Sequence, residues 1–181
     1  AGKYTKIVDN HLEFNKDEQY AINKWVGTDS YAINEHYRYG YDIDERLQNI
    51  SDNMDSVLTK IKSESGEYHR SIPLEGNRLQ QFINKYKKGE IVTEEAFTSM
   101  TPKGDIYDDS FNVQIDITSK NAKDTHKLMR KSENEYMLQR NTKFKVDDVK
   151  IINPISKQGQ DFNDFNKNIV KGHNGKPVYI S

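Results

Sequence analysis

Two glutamates one residue apart, Glu133 and Glu135 in "SENEYML", stand at the head of a strand-like apolar run. Extended chain turns successive side chains to opposite faces, so the two acids share one face and Asn134 takes the other. At a rise of about 3.3 Å per residue their backbones lie about 6.6 Å apart, a spacing from which two carboxylates address one substrate. The same spacing occurs on solvated strand edges, because charged side chains are mostly exposed. The pair alone does not decide between these readings.

The remaining residue types narrow the chemistry. The chain has no cysteine, which excludes a thiolate nucleophile, a disulfide framework and a Cys-based zinc site. Its five histidines, His11, His36, His69, His126 and His173, lack the close spacing of a metal-binding pair, so no metal is expected. Catalysis would have to come from oxygen and nitrogen groups. The 27 Lys plus Arg against 28 Asp plus Glu give a net charge of -1, which provides no long-range field to gather nucleic acid or an anionic membrane. No run approaches the ~18 apolar residues of a membrane helix, and no signal-peptide core is visible. The opening "AGKYTK" lacks an initiator Met and reads as a processed protein or an excised piece, which leaves the producer's compartment open. A length of 181 residues favours one domain, 1–181, with 1–63 mainly helical and 64–181 mainly β.

These residues need elements to hold them. "NKDEQYAINKWVG" carries acids in its first turn and Gly27 at its end, as a helix does; Thr28 or Asp29 caps a second helix that closes near Gly40. From Asp42, the spacing of Ile43, Leu47, Ile50, Met54, Val57 and Ile61 predicts one buried helical stripe. After a polar break at "SESGE", short strand-like runs follow: "YHRSI", "EIV", "AFTSM", "FNVQIDI", "NEYML", "KFKVDDVKII" and "KPVYIS". Short helices are expected at "RLQQFINKYKK" and around "NAKDTHKLM". The predicted class is α+β, a helical N-terminal part packed on a mostly antiparallel sheet. The basic run "NKYKKGE" reads as a solvated helix end, and the aromatic-rich "YAINEHYRYGYDID" either caps the core or stacks a base.

Four segments stand in order along the chain: "AINKWVGTDSYAINEHYR", "YHRSI", "FTSMT" and "SENEYMLQRNTKFKV". In that order, and over nearly the whole chain, they resemble the mono-ADP-ribosyltransferases of the Arg-Ser-Glu type, which include clostridial iota toxin and other actin-modifying binary toxins. In the first segment Gly27, Tyr31, Ile33, Asn34 and Arg38 match, while Trp25 and Val26 replace Tyr and Thr. The second offers Arg70 in the family's arginine position with Ser71 behind it; a register shifted by one would put His69 there instead. The third offers Ser99 as the first serine of Phe-x-Ser-Thr-Ser, with Met100 and Thr101 departing from the pattern. The fourth matches at Glu133, Glu135, Leu138, Thr142, Lys143 and Phe144, and has Arg130 where the family often has an aromatic.

The resemblance implies an NAD-dependent transferase that moves ADP-ribose to an arginine of a target protein. Tyr31, Asn34, Arg38, Arg70, Ser99 and Glu135 would then bind NAD. Arg70 would grip the pyrophosphate with its fork of donors, and Ser99 would orient a carboxylate. Glu135 would stabilise positive charge on the ribose, and Glu133 would act as base on the acceptor guanidinium. A secreted toxin fragment and a phage-encoded host modifier fit equally, acting in a target cell's cytosol with or without a separate delivery domain or translocation component. Two other readings stand beside it: an inactive adaptor copy of the same fold, and an NAD glycohydrolase or other two-carboxylate glycosidase.

Overall fold

A computed structural model describes residues 12–129 and 134–151, and the backbone of 178–180. Helices α1 (Lys16–Trp25), α2 (Asp29–Tyr39) and α3 (Glu45–Lys60) come first. There follow β1 (Ser63–Ile72), α4 (Gly76–Lys85), β2 (Ile91–Glu94), β3 (Thr98–Pro102) and β4 (Val113–Asp124). The short helix α5 (His126–Met129) precedes β5 (Tyr136–Leu138), β6 (Thr142–Val149) and β7 (Val178–Ile180). The expected α+β class is what the chain adopts: helices with a mostly antiparallel sheet.

The chain divides into two units, each assembled from three stretches. The first comprises 1–64, 94–99 and 120–142. Helices α1 and α3 begin where the sequence supplies caps, whereas Thr28, expected to cap α2, precedes it with no side-chain capping hydrogen bond. Asn15 and Glu18 form a reciprocal capping box on α1, and the Asp44 carboxylate accepts the Leu47 N–H at the head of α3. Gly40 closes α2 in the left-handed region at φ 77°, where a side chain would be strained. The predicted stripe on α3 is buried at Ile50, Met54 and Val57, and packs with Ile22, Trp25, Ile33 and Phe97 into one apolar cluster. In the same unit β5 runs antiparallel to the far end of β4, with Lys123 opposite Met137 and Asp124 opposite Tyr136.

The second unit comprises 65–93, 100–119 and 143–181. Within it β1 pairs antiparallel with β3, His69 lying opposite Thr101. β4 pairs parallel with β7, and β7 antiparallel with β6. Backbone bonds from Gly89 to Val146 and from Val146 to Glu90 tie the approach to β2 onto β6. Alternation along β4 buries Val113, Ile115 and Ile117, as their spacing predicts.

Three local expectations differ from the structure. "SESGE" is no break: β1 begins at Ser63, and the Tyr68 ring covers Gly66 so closely that a Cβ there would sit 3.1 Å from its hydroxyl. An aromatic laid over a strand glycine supplies packing that the glycine cannot. "NAKDTHKLM" is helical only over its last four residues, because Asn121 to Asp124 extend β4 against β5, and ladder pairing overrides the helix propensity of Ala and Lys. β5 starts at Tyr136, so Glu135 stands immediately before the strand and not within it.

Candidate functional site

In the first unit the site is built outward from α2. Asn34 and Arg38, one turn apart on one helix face, take both backbone groups of Phe97. Asn34 Oδ1 accepts the Phe97 N–H at 3.1 Å, and Arg38 Nη2 donates to the Phe97 carbonyl at 3.0 Å. Arg38 Nε also donates to Glu94 Oε1 at 2.9 Å, so the segment leading into β3 is gripped at both ends. The Phe97 ring anchors it below, edge-on to Trp25 with centroids 4.8 Å apart. Tyr31, the third matching residue of α2, is 71% exposed.

Two residues beyond Phe97, the Ser99 hydroxyl donates to Glu135 Oε2 at 2.8 Å. Glu135 is buried, with 3% of its surface exposed. A buried carboxylate needs hydrogen-bond donors, and a second one is present. Thr125 Oγ1 lies 3.1 Å from Oε1, on the other oxygen. The Thr125 N–H donates to the Glu135 carbonyl at 3.1 Å, which fixes the two backbones together. Nothing in the spacing of the sequence singles out Thr125; it lies ten residues ahead of Glu135, and only the strand pairing of β4 with β5 brings it there. Glu133 and Arg130 lie outside the described residues.

In the second unit Arg70 is half-buried on β1 between buried His69 and Ser71. His69 is committed at both ring nitrogens: Nδ1 lies 2.8 Å from Asp116 Oδ1 and Nε2 lies 2.6 Å from Gln114 Oε1. The Gln114 amide nitrogen donates to the carbonyls of Asp108 and Phe111, so its oxygen is the atom turned to His69 and to the Ser71 hydroxyl. Strand alternation sends Arg70 to the opposite face. Among the described residues, no group of three or more His, Asp or Glu side chains could hold a metal ion, and no helix is long and apolar enough to cross a membrane.

No family model matches the chain, and no curated protein is similar to it in sequence. Solved structures are similar in fold. The type III effector XopAI from Xanthomonas axonopodis pv. citri superposes with a TM-score of 0.68 at 13% identity, over 93% of this chain and 67% of its own. Exoenzyme S from Pseudomonas aeruginosa, solved with human 14-3-3 protein beta and carba-NAD, gives 0.63 at 13% identity, over 92% and 73%. The C3larvin toxin from Paenibacillus larvae, an ADP-ribosyltransferase, gives 0.60 at 16% identity, over 92% and 93%. The chain has the fold of the bacterial ADP-ribosyltransferase toxins.

Proposed function

We propose that the chain is a mono-ADP-ribosyltransferase that cleaves NAD and transfers ADP-ribose to an arginine of a target protein, as the catalytic part of a bacterial toxin or effector. The observation that carries this reading is the buried Glu135 carboxylate held by the Ser99 hydroxyl. It supports the Arg-Ser-Glu reading of the sequence in a fold whose neighbours include an NAD-analogue complex.

The donor set suits NAD. Hydroxyls hold both oxygens of the Glu135 carboxylate, which keeps the charged group in one orientation toward a ribose hydroxyl. Arg70 offers a permanently charged fork for the pyrophosphate. His69, whose nitrogens both face acceptors on its own face of β1, is poorly suited to that task, which favours the Arg70 register.

When bound, NAD supplies a glycosidic bond whose leaving group is already cationic, so no general acid is required. Glu135 accepts the ribose 2′-hydroxyl proton in a hydrogen bond that strengthens as positive charge grows on the sugar. Glu133 takes a proton from the acceptor guanidinium, whose nitrogen is otherwise not nucleophilic. The bond from ribose C1 to nicotinamide breaks, the bond from C1 to the guanidine nitrogen forms, and the proton resides on Glu133. Asn34 and Arg38 keep Ser99 in line through Phe97. The target carries an exposed arginine, and the site of action is a target cell's cytosol, reached by secretion or through a delivery component.

Incubation with NAD and agmatine, followed by mass spectrometry, tests the reading. ADP-ribosyl-agmatine with free nicotinamide is expected. Free ADP-ribose alone would make the chain an NAD glycohydrolase, and unchanged NAD would make it an inactive copy.

A further inference from the structure

We infer that Thr125 is a positioning residue for the Glu135 carboxylate, acting as the second half of a clamp whose first half is Ser99; the inference rests on the transferase reading above. The terminal torsion of a glutamate is broad and roughly two-fold, so a single donor on one oxygen leaves the plane of the group free to swing. Donors on both oxygens remove that freedom. Ser99 takes Oε2 at 2.8 Å and Thr125 takes Oε1 at 3.1 Å.

The Thr125 hydroxyl has one proton and two acceptors in reach, since the Glu135 carbonyl lies 3.2 Å away. That carbonyl already receives the Thr125 N–H at 3.1 Å, so the hydroxyl proton is best spent on the charged oxygen. Thr125 is itself well fixed. It is fully buried, its β-branched side chain has few rotamers, and its carbonyl accepts the Met129 N–H at 2.8 Å. A threonine ahead of a helix commonly turns its hydroxyl to that helix's own amides. Here the hydroxyl reaches across ten residues to a carboxylate.

The test compares Thr125→Val, which keeps the shape and loses the hydroxyl, with Thr125→Ser, which keeps the hydroxyl. Nicotinamide release from NAD is followed at varied NAD, with thermal unfolding measured alongside. The inference expects kcat for Thr125→Val to fall about tenfold or more, the loss of one hydrogen bond to a charged group, with KM within about twofold. Thr125→Ser should recover most of that loss. A Val variant with wild-type kcat, a change confined to KM, or a Ser variant no better than Val would overturn it. If Thr125→Val does not fold, Thr125→Ala takes its place against Ser on the same terms. A wild-type chain that releases no nicotinamide overturns the transferase reading and this inference together, whereas an active wild type with an unaffected Val variant overturns this inference alone.

Discussion

Asn34 accepts the backbone N–H of Phe97 at 3.1 Å across 63 residues of sequence. The contact gives a residue of the helical region direct control over the start of β3, two positions before Ser99. Replacing Asn34 with Ala leaves a partly buried N–H without that acceptor, at a cost of about 1–3 kcal/mol. The melting temperature should fall, and kcat with it as Ser99 loses its register against Glu135. Asn34→Asp keeps an acceptor and should hold most of the stability. An Asn34→Ala variant that melts like wild type and changes only KM for NAD would mean that the residue serves the substrate and not the strand.

Arg70 and His69 are neighbours on β1 with separable consequences. Arg70→Lys keeps the charge and loses the fork, so NAD binding should weaken by about 1.5–3 kcal/mol, more than the fold loses in stability. His69→Phe removes the ring that bridges Asp116 and Gln114; Gln114 Oε1 keeps the Ser71 hydroxyl, so the loss falls mainly on Asp116 and should cost about 1–3 kcal/mol. Calorimetric titration with NAD and urea unfolding of both variants make the comparison. Loss of NAD affinity in stably folded His69→Phe, with Arg70→Lys unaffected, would reverse the register.

What the sequence disclosed follows from how local each signal is. Helix α3 was legible because a stripe running from Ile50 to Val57 repeats within one element and needs no partner to be read. Ser99 beside Glu135 was expected only through resemblance, since the two lie 36 residues apart and no spacing rule joins them. Thr125 was invisible for the same reason, with no motif to mark it. Asn34 and Arg38 are expected at the NAD site through resemblance alone; their hydrogen bonds to the Phe97 backbone and, for Arg38, to Glu94 depend on tertiary packing that no local pattern shows. The extension of β4 through Lys123 has no local signature, because propensity there favours helix and the strand is completed by pairing with β5.

Glu18 is fully buried in α1 and should make stability pH-dependent. Burial pushes its carboxyl up, but the hydrogen bonds from Lys60, Ser56 and the Asn15 N–H, with the Lys60 charge, outweigh burial and hold it below the usual range. A folded-state value below the unfolded one of about 4.3 gives a contribution that is complete above that pH and lost as pH falls through the folded value. Glu18→Gln should therefore cost about 1–2 kcal/mol at pH 7, with the gap to wild type closing as the medium is taken to pH 3. Thermal unfolding of both proteins across that range measures it. A gap that stays constant with pH would assign the cost to packing.

Replacements of Glu135 and Glu133 should fail in different ways. Glu135→Gln retains the shape of the side chain that Ser99 and Thr125 hold, but removes the charge that the proposed mechanism directs at the ribose. On that mechanism transfer to agmatine and hydrolysis of NAD by water both depend on the charge, so both should collapse, by about a hundredfold or more. On the same mechanism Glu133→Gln leaves the donor side intact and removes only the acceptor's base. Transfer should vanish while slow nicotinamide release continues, because water is small and needs less activation than a guanidinium. Nicotinamide release and ADP-ribosyl-agmatine formation, measured side by side for both variants with thermal unfolding as a control, separate the two roles. Equal loss of both activities in Glu133→Gln would place Glu133 on the donor side as well, and an unaltered transfer rate would remove it from the mechanism.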